Sequence, residues 1–155
     1  MAEVCISVVF QQSVATVWGV LRDFNSISSW LPGAHGGAIE NGMAADQIGA
    51  IRHFQLGVGG PVVRERLLAL SDRDHSCSYL LLEGPIPVRN LIGEFRLYEI
   101  TETGGTFGYW RAGFDVLEKD CAAATAQLKS LYSDGWGNLK KMLGSQATPS
   151  AGRPM

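Results

Sequence analysis

Six short segments with the composition of β-strands follow one another between residues 34 and 115, and clusters of Gly, Pro, Asn and Asp separate them. Neighbouring strands joined by such short turns pair antiparallel, so this spacing predicts an antiparallel meander. A chain built in this way has one sheet and must bury one face of it against another element. The predicted strands are Ala34–Glu40, Ile48–Leu56, Val62–Leu70, Ser76–Glu83, Arg89–Ile100 and Thr106–Asp115.

The segments on either side of the meander predict what covers the sheet. Residues 3–10 alternate apolar and polar positions, as a half-buried strand does. Two short helices are predicted next, one after the N-cap residue Ser13 and one ending at Trp30. A long, proline-free helix is predicted over 119–143. The sequence therefore predicts an α+β fold, in which a seven-stranded antiparallel sheet curls around the C-terminal helix and encloses a cavity suited to a small ligand.

Composition limits the class of protein. The 155 residues are 46% apolar and 18% charged, which favours one folded domain at 1–143 and a tail of disordered composition at 144–155. A formal charge of -2 provides no basic surface for nucleic acid. No apolar run reaches the roughly 18 residues of a membrane span, and no secretion signal is visible, so we expect a cytoplasmic protein. Three scattered cysteines predict neither a disulfide framework nor a structural metal site, and a homodimer stays open.

Several short stretches carry a resemblance to a known family. They are Val17-Trp18 through Trp30-Leu31-Pro32-Gly33, Val63-Arg64-Glu65-Arg66-Leu67, Leu70-Ser71-Asp72, Ser78-Tyr79 through Glu83-Gly84-Pro85, and Val88-Arg89-Asn90. In this order they resemble the helix-grip (SRPBCC) superfamily of START, birch-pollen-allergen and polyketide-cyclase proteins. The chain is most similar to the bacterial polyketide cyclase/dehydrase group, which is related to the plant abscisic-acid receptors. The resemblance implies a helix-grip fold but no single function, because the superfamily includes carriers, receptors, cyclases and dehydratases.

The resemblance also implies a polar anchor in the pocket. In the receptor relatives, the acidic residue that matches Glu65 and the arginine that matches Arg52 both face the ligand. Strand alternation places Arg52 on one face with Phe54, and Glu65 on one face with Leu67. An Arg–Glu pair suits such a place because a charge buried alone is prohibitively costly. The alternatives are a structural ion pair at the cavity floor, or a pair on the outer face if the predicted register is wrong by one residue.

Glu83 is a further candidate acid. It shares strand parity with Tyr79 and Leu81, which match pocket residues of the relatives, and it precedes Gly84-Pro85 at the expected pocket mouth. A carboxylate desolvated there would have a raised pKa and serve as a general acid or base. The alternative is an ordinary solvated loop carboxylate. The candidate catalytic residues are Arg52, Glu65 and Glu83, with His35 the one histidine favoured as a base, and no cofactor or metal is expected.

Apolar and aromatic side chains are predicted to form the remaining walls. Large rings suit an aromatic, polyketide-like or terpenoid-like ligand, although helix stripes of this kind are usually plain core. The loops Gly57–Pro61 and Gly84–Val88 match the gate and latch loops of the receptors in position but lack their signature residues, which argues against abscisic acid. The predicted ligand-binding residues are Phe54, Leu67, Tyr79, Leu81, Leu91, Trp110, Leu128, Tyr132 and Trp136.

The resemblance implies a small hydrophobic ligand, and functions of different classes stay open. As an enzyme, the protein would catalyse a cofactor-free aldol-type cyclisation or dehydration. Arg52 would then polarise a carbonyl, and Glu65 or Glu83 would move the proton. As a carrier, the protein would bind the same kind of molecule without converting it. The third alternative is a module that binds a partner through its exposed loops.

Overall fold

The computed structural model describes residues 1–151, with side chains through residue 145. A strand, two short helices and six further strands precede the long C-terminal helix, in the predicted order. The elements are β1 (Ala2–Phe10), α1 (Val14–Leu21), α2 (Ile27–Trp30), β2 (Ala34–Ile39), β3 (Ile51–Leu56), β4 (Val62–Ser71), β5 (Ser76–Glu83), β6 (Arg89–Ile100), β7 (Gly105–Asp115) and α3 (Glu118–Ala151), with single 3₁₀ turns at Phe24–Ser26 and Glu40–Gly42.

The seven strands form one antiparallel sheet in the order β1-β7-β6-β5-β4-β3-β2. Strands β2 to β7 are the predicted meander, and β1 pairs with β7. Together with α3 and the two short helices, this sheet confirms the α+β helix-grip fold. Strand β3 begins at Ile51 rather than at the predicted Ile48, because Gly49 has a φ of +94° and bends the chain before the regular ladder starts.

Helix α1 is fixed to the sheet by a polar contact at the β4–β5 turn. The helix begins at its predicted N-cap, where the Ser13 side chain accepts a hydrogen bond from a backbone N–H in the first turn. At its other end, Trp18 Nε1 and Arg22 Nε donate to Asp72 Oδ1 at 2.8 and 2.9 Å. The hydrogen bond from Arg22 lowers the pKa of Asp72 to about 2. The contact therefore holds the short helix against a turn that is distant in sequence.

Helix α3 covers the concave face of the sheet with one stripe of side chains. Two polar contacts fix its position, because Trp136 Nε1 donates to the Ile6 carbonyl at 2.9 Å and Asn138 Nδ2 donates to the Trp30 carbonyl at 2.7 Å. These bonds tie α3 to the edge strand β1 and to α2. The buried residues of the stripe are Leu128, Tyr132, Trp136, Leu139 and Leu143.

The C-terminal helix extends beyond the predicted boundary at 143. Its last turns, through Ala151, overlap the segment predicted as a disordered tail, and the final residues of that segment, 152–155, lie outside the described residues. Within the described part of the chain, no helix is both long and apolar enough to cross a membrane.

Candidate functional site

A cavity of about 50 Å³ lies between the concave face of the sheet and α3. This volume has room for a few water molecules and is smaller than the roughly 150 Å³ of an engineered cavity that holds benzene. Most of the residues predicted from the sequence line it. They are Arg52, Phe54, Glu65, Tyr79, Leu81, Leu91, Trp110, Leu128 and Tyr132.

Two predicted ligand-binding residues are buried elsewhere in the core. Leu67 is fully buried but does not reach the cavity. Trp136 packs against the rings of Phe10, Trp30 and Phe95 and is directed at the β1 edge by its hydrogen bond to a backbone carbonyl. Correct strand or helix parity therefore brought both side chains inside the fold without bringing them to the cavity wall.

Glu83 lies on the outer face of the sheet, contrary to the sequence prediction. A β-bulge is the reason: Arg64 is paired with Glu83, whereas the next residue, Glu65, is paired with Leu81, so Leu82 is an extra residue in β5. Because of this extra residue, the Glu83 side chain points to the face opposite that of Leu81. Its side chain is 56% exposed and lies 3.8 Å from Arg64 Nη1. Glu83 is therefore the solvated carboxylate of the alternative interpretation.

The Arg52–Glu65 pair is the charged part of the cavity lining. Adjacent positions on β3 and β4 bring the two side chains together, and both residues are more than nine-tenths buried. Arg52 Nε donates to Glu65 Oε1 at 2.8 Å, and Arg52 Nη1 donates to the Phe24 carbonyl at 3.0 Å. The guanidinium carbon lies 4.1 Å from the centre of the Phe24 ring and 5.1 Å from that of Tyr79. Hydrogen bonds and ring contacts thus hold the cation in one orientation.

Both members of this pair keep unused hydrogen-bonding capacity. Arg52 Nη2 is in ion-pair contact with Glu65 Oε1 at 2.8 Å, but it makes no hydrogen bond to the described residues. The other carboxylate oxygen, Oε2, receives no hydrogen bond from the described residues. The contacting pair therefore holds a buried donor nitrogen and a carboxylate oxygen that both lack a hydrogen bond to the described residues.

Two phenols and an indole complete the polar lining. Trp110 Nε1 donates to the Tyr79 hydroxyl at 2.8 Å, and the rings of Trp110 and Tyr132 stack with their centres 3.8 Å apart. Burial raises the pKa of both tyrosines well above the ordinary value, and the nearby carboxylate of Glu65 acts in the same direction. Both phenols are therefore neutral at physiological pH, where they serve as hydrogen-bonding groups.

The sequence prediction missed the wall formed by α2. Ile27 and Leu31 are spaced one helical turn apart, and both line the cavity. The i, i+4 spacing of two apolar residues was the available signal, but a helix of one turn is too short to show periodicity. The remaining lining residues are Leu56, Val63, Gly84, Pro85, Ile86 and Leu131.

The β5–β6 hairpin forms the outer wall of the cavity. Pairing between these strands stops at Leu80 and Ile92, so the hairpin is open beyond that point. A surface groove of about 450 Å³ lies in this opening. Its lining shares Leu81, Gly84, Ile86 and Leu91 with the cavity. The cavity and the groove therefore lie on either side of these shared residues, whereas the predicted loop 57–61 contributes nothing to the lining.

The described residues contain no group of three or more His, Cys, Asp and Glu placed to hold a metal ion. His35, the histidine favoured as a base, is exposed on β2 and does not line the cavity. Among the described residues that line the cavity, Glu65 and the two phenols are side chains that can accept or donate a proton.

Comparison with known proteins agrees with this architecture. Among solved structures, XoxI of Bacillus cereus is 27% identical, with 92% of this chain and 95% of XoxI covered and a TM-score of 0.81. An uncharacterised protein of Bacillus thuringiensis is 26% identical, with 91% and 98% covered and a TM-score of 0.80. Norcoclaurine synthase of Thalictrum flavum, solved as a point mutant with a transition-state analogue, is 13% identical, with 94% and 95% covered and a TM-score of 0.69. This last likeness shows a shared fold alone.

A search of curated proteins finds no match to the chain. The profile of the family described as polyketide cyclase / dehydrase and lipid transport matches residues 1–144. The match spans both the sheet and the helix that enclose the cavity. The protein therefore belongs to the polyketide cyclase/dehydrase and lipid transport family.

Proposed function

We propose that the protein binds a small hydrophobic molecule with a hydrogen-bond acceptor in the cavity between the sheet and α3. The observation that carries this proposal is the buried Arg52–Glu65 pair, whose Nη2 donor has no acceptor among the described residues. An apolar pair of similar volume is often as stable as a buried ion pair, because the ions lose their hydration. The pair is thus better suited to a ligand than to stability, and the family description supports a hydrophobic one.

Binding requires the cavity to expand, because ligand pockets usually measure about 300–1,000 Å³. Moving α3 would break its hydrogen bonds to Ile6 and Trp30 and separate stacked rings. Moving the tip of the β5–β6 hairpin, residues 84–88, breaks no ladder pair, since β5 is paired with β4 through Glu83 and β6 is paired with β7 from Arg89. We therefore assign the expansion to the hairpin, whose outward movement would join the cavity to the adjoining groove.

A second candidate function is catalysis on the bound molecule. Arg52 Nη2 and Glu65 Oε2 each lack a hydrogen-bond partner among the described residues, and they belong to side chains that are already in contact. Glu65 would remove a proton from the carbon next to a ligand carbonyl, and the electron pair of that C–H bond would move to the oxygen. Arg52 would stabilise the resulting enolate. Such a step begins an aldol-type cyclisation or a dehydration and uses only groups of this chain.

Binding is tested by native mass spectrometry and by NMR with acetophenone as the probe. We expect either an added small mass that is lost on denaturation, or a shift of the Trp110 indole N–H signal on titration, since this group lies in the cavity wall. The Trp18 indole, bonded to Asp72 at the surface, is the internal control and stays unchanged. No added mass and no selective shift of the Trp110 signal would mean that the cavity is plain core.

A pair of variants separates cavity binding from surface binding. Leu128→Trp adds bulk in the cavity wall and should abolish the response to acetophenone. Leu68→Trp makes the same exchange on the outer face of β4, where the side chain is 37% exposed, and should leave the response intact. Equal responses in both variants would place the ligand elsewhere.

Catalysis is tested without knowledge of the natural substrate. In deuterated water, removal of an acetophenone methyl proton by Glu65 and its replacement by a deuteron gives a product that proton NMR detects. We expect the wild-type protein to accelerate this exchange and Glu65→Gln to abolish it while acetophenone still binds. Binding without exchange in the wild-type protein supports the carrier function.

A further inference from the structure

We propose that Glu65 makes the cavity selective for uncharged carbonyl or phenol ligands and excludes carboxylic acids. The inference rests on the proposed function and names the class of ligand that the same site accepts. The inference goes beyond the proposed function because a lone arginine in an apolar cavity would bind carboxylates in preference to ketones. Here the arginine is not alone, since its carboxylate partner lies in the same wall.

The charges of the cavity lining cancel. Arg52 and Glu65 are its cation and its anion, and the remaining titratable groups of the lining are the phenols of Tyr79 and Tyr132, which burial keeps protonated. The Cys77 thiol beside the pair is also neutral, because burial raises its pKa to about 11. The lining therefore holds no unmatched positive charge that an anionic ligand could neutralise.

The geometry of the pair explains why an anion is disfavoured. Nε and Nη1 of Arg52 each donate a hydrogen bond, to Glu65 and to the Phe24 carbonyl, so Nη2 is the guanidinium nitrogen without a hydrogen bond to the described residues and is the donor that we assign to a ligand. A ligand oxygen bonded to Nη2 at about 2.9 Å would lie within about 6 Å of Glu65 Oε1, because that oxygen is itself 2.8 Å from Nη2. Two carboxylates at this distance repel strongly where water is excluded. A ketone or phenol oxygen accepts the same hydrogen bond without this cost.

The selectivity is measured with three ligands of similar size, namely acetophenone, ethylbenzene and benzoate, by titrating the Trp110 indole signal at pH 7. We expect acetophenone to bind wild-type protein at least about tenfold more tightly than benzoate, with ethylbenzene also weaker because it leaves Nη2 unbonded. Glu65→Gln should reverse the order, raising benzoate affinity by about tenfold or more. Glu94→Gln removes the same charge outside the cavity, where Glu94 pairs with Arg111 at 2.9 Å, and should not change benzoate affinity.

The outcomes distinguish the two proposals. If none of the three ligands binds to wild-type protein, the proposed function fails. If benzoate binds wild-type protein as tightly as acetophenone, ligand binding stands but the charge selectivity is refuted, and this comparison needs no variant to fold. If Glu65→Gln retains acetophenone binding without gaining benzoate affinity, the assignment of selectivity to Glu65 is refuted.

Discussion

Replacing Gly93 by alanine should break the hydrogen bond between Tyr79 and Trp110 in the cavity wall, because Gly93 lies on the strand next to Tyr79. Gly93 on β6 is paired with Tyr79 on β5, and the tyrosine ring lies across the glycine. A Cβ at residue 93 would lie 2.3 Å from Tyr79 Cζ and 2.4 Å from its hydroxyl oxygen. An ordinary contact needs more than a further ångström, so the ring must move. Its hydroxyl accepts the 2.8 Å hydrogen bond from Trp110 Nε1, and movement of that size would break it.

The magnitude follows from these two effects. Forcing extra volume into a packed core costs about 1–3 kcal/mol, and leaving a buried indole N–H without an acceptor costs about 1–3 kcal/mol. Because the two costs share one ring movement, they should be less than additive, and we expect a total near 3 kcal/mol, in the lower half of their combined range. Gly113→Ala is the matched control, since it lies on the neighbouring strand β7 with no atom within 4 Å of its hypothetical Cβ. The control should be neutral or stabilising by about 0.5 kcal/mol.

Urea unfolding followed by tryptophan fluorescence measures both free energies. The cause is tested in a Tyr79→Leu background, where the ring is gone and the cost of Gly93→Ala should fall toward that of the control. A Gly93→Ala variant within about 0.5 kcal/mol of wild type would refute the reasoning, since either effect alone should cost at least about 1 kcal/mol. An unchanged cost in the Tyr79→Leu background would refute the assignment to this ring.

Two further predictions follow from the pKa values. The hydrogen bond from Arg22 lowers the pKa of Asp72 to about 2, below the unfolded value of about 3.9, so this contact stabilises the fold above pH ~4 and its contribution is lost as the pH falls toward 2. Asp72→Asn should remove that part of the acid dependence of the free energy of unfolding, and an unchanged profile would contradict it. Burial raises the pKa of Cys77 to about 11, so a thiol reagent at pH 7 should label exposed Cys5 at once and Cys77 only after unfolding, as mass spectrometry of intact protein would show.

The fold could be predicted because each element leaves a local signal. Turn clusters divide the strands, alternation marks the buried face, and the helical stripe from Leu128 to Leu143 has the spacing of a covered surface. Strand alternation also predicted the face on which single side chains lie. Arg52 and Glu65 are buried on the concave face together with the apolar residues two positions away. Parity is reliable over a few residues of regular strand because each side chain points opposite to its neighbours.

Parity failed where the backbone departs from a regular ladder. The bulge at Leu82 turns Glu83 outward, and the sequence does not reveal it because the run Leu80-Leu81-Leu82 has no alternation that marks one face. The sequence also could not distinguish residues of the packed core from residues that line the cavity, for a different reason. Leu67 and Trp136 point inward as predicted, but whether an inward side chain meets a void depends on how its neighbours fill space.

Different features of the fold therefore determine the position of the Arg52–Glu65 pair, here called the polar end of the site, and the size of the cavity. The polar end is set by strand register, since pairing of β3 with β4 brings Arg52 beside Glu65 whatever the surrounding volume. The free volume is the small remainder after many large side chains are packed, so a change of one ring position, such as that of Tyr132 against Trp110, alters it substantially. Relatives of this chain that keep the pair and exchange the rings should then bind the same functional group on ligands of different size. If the proposed function holds, selectivity for charge would depend on the register of β3 and β4, and selectivity for size on the packing of the rings and apolar side chains that line the cavity.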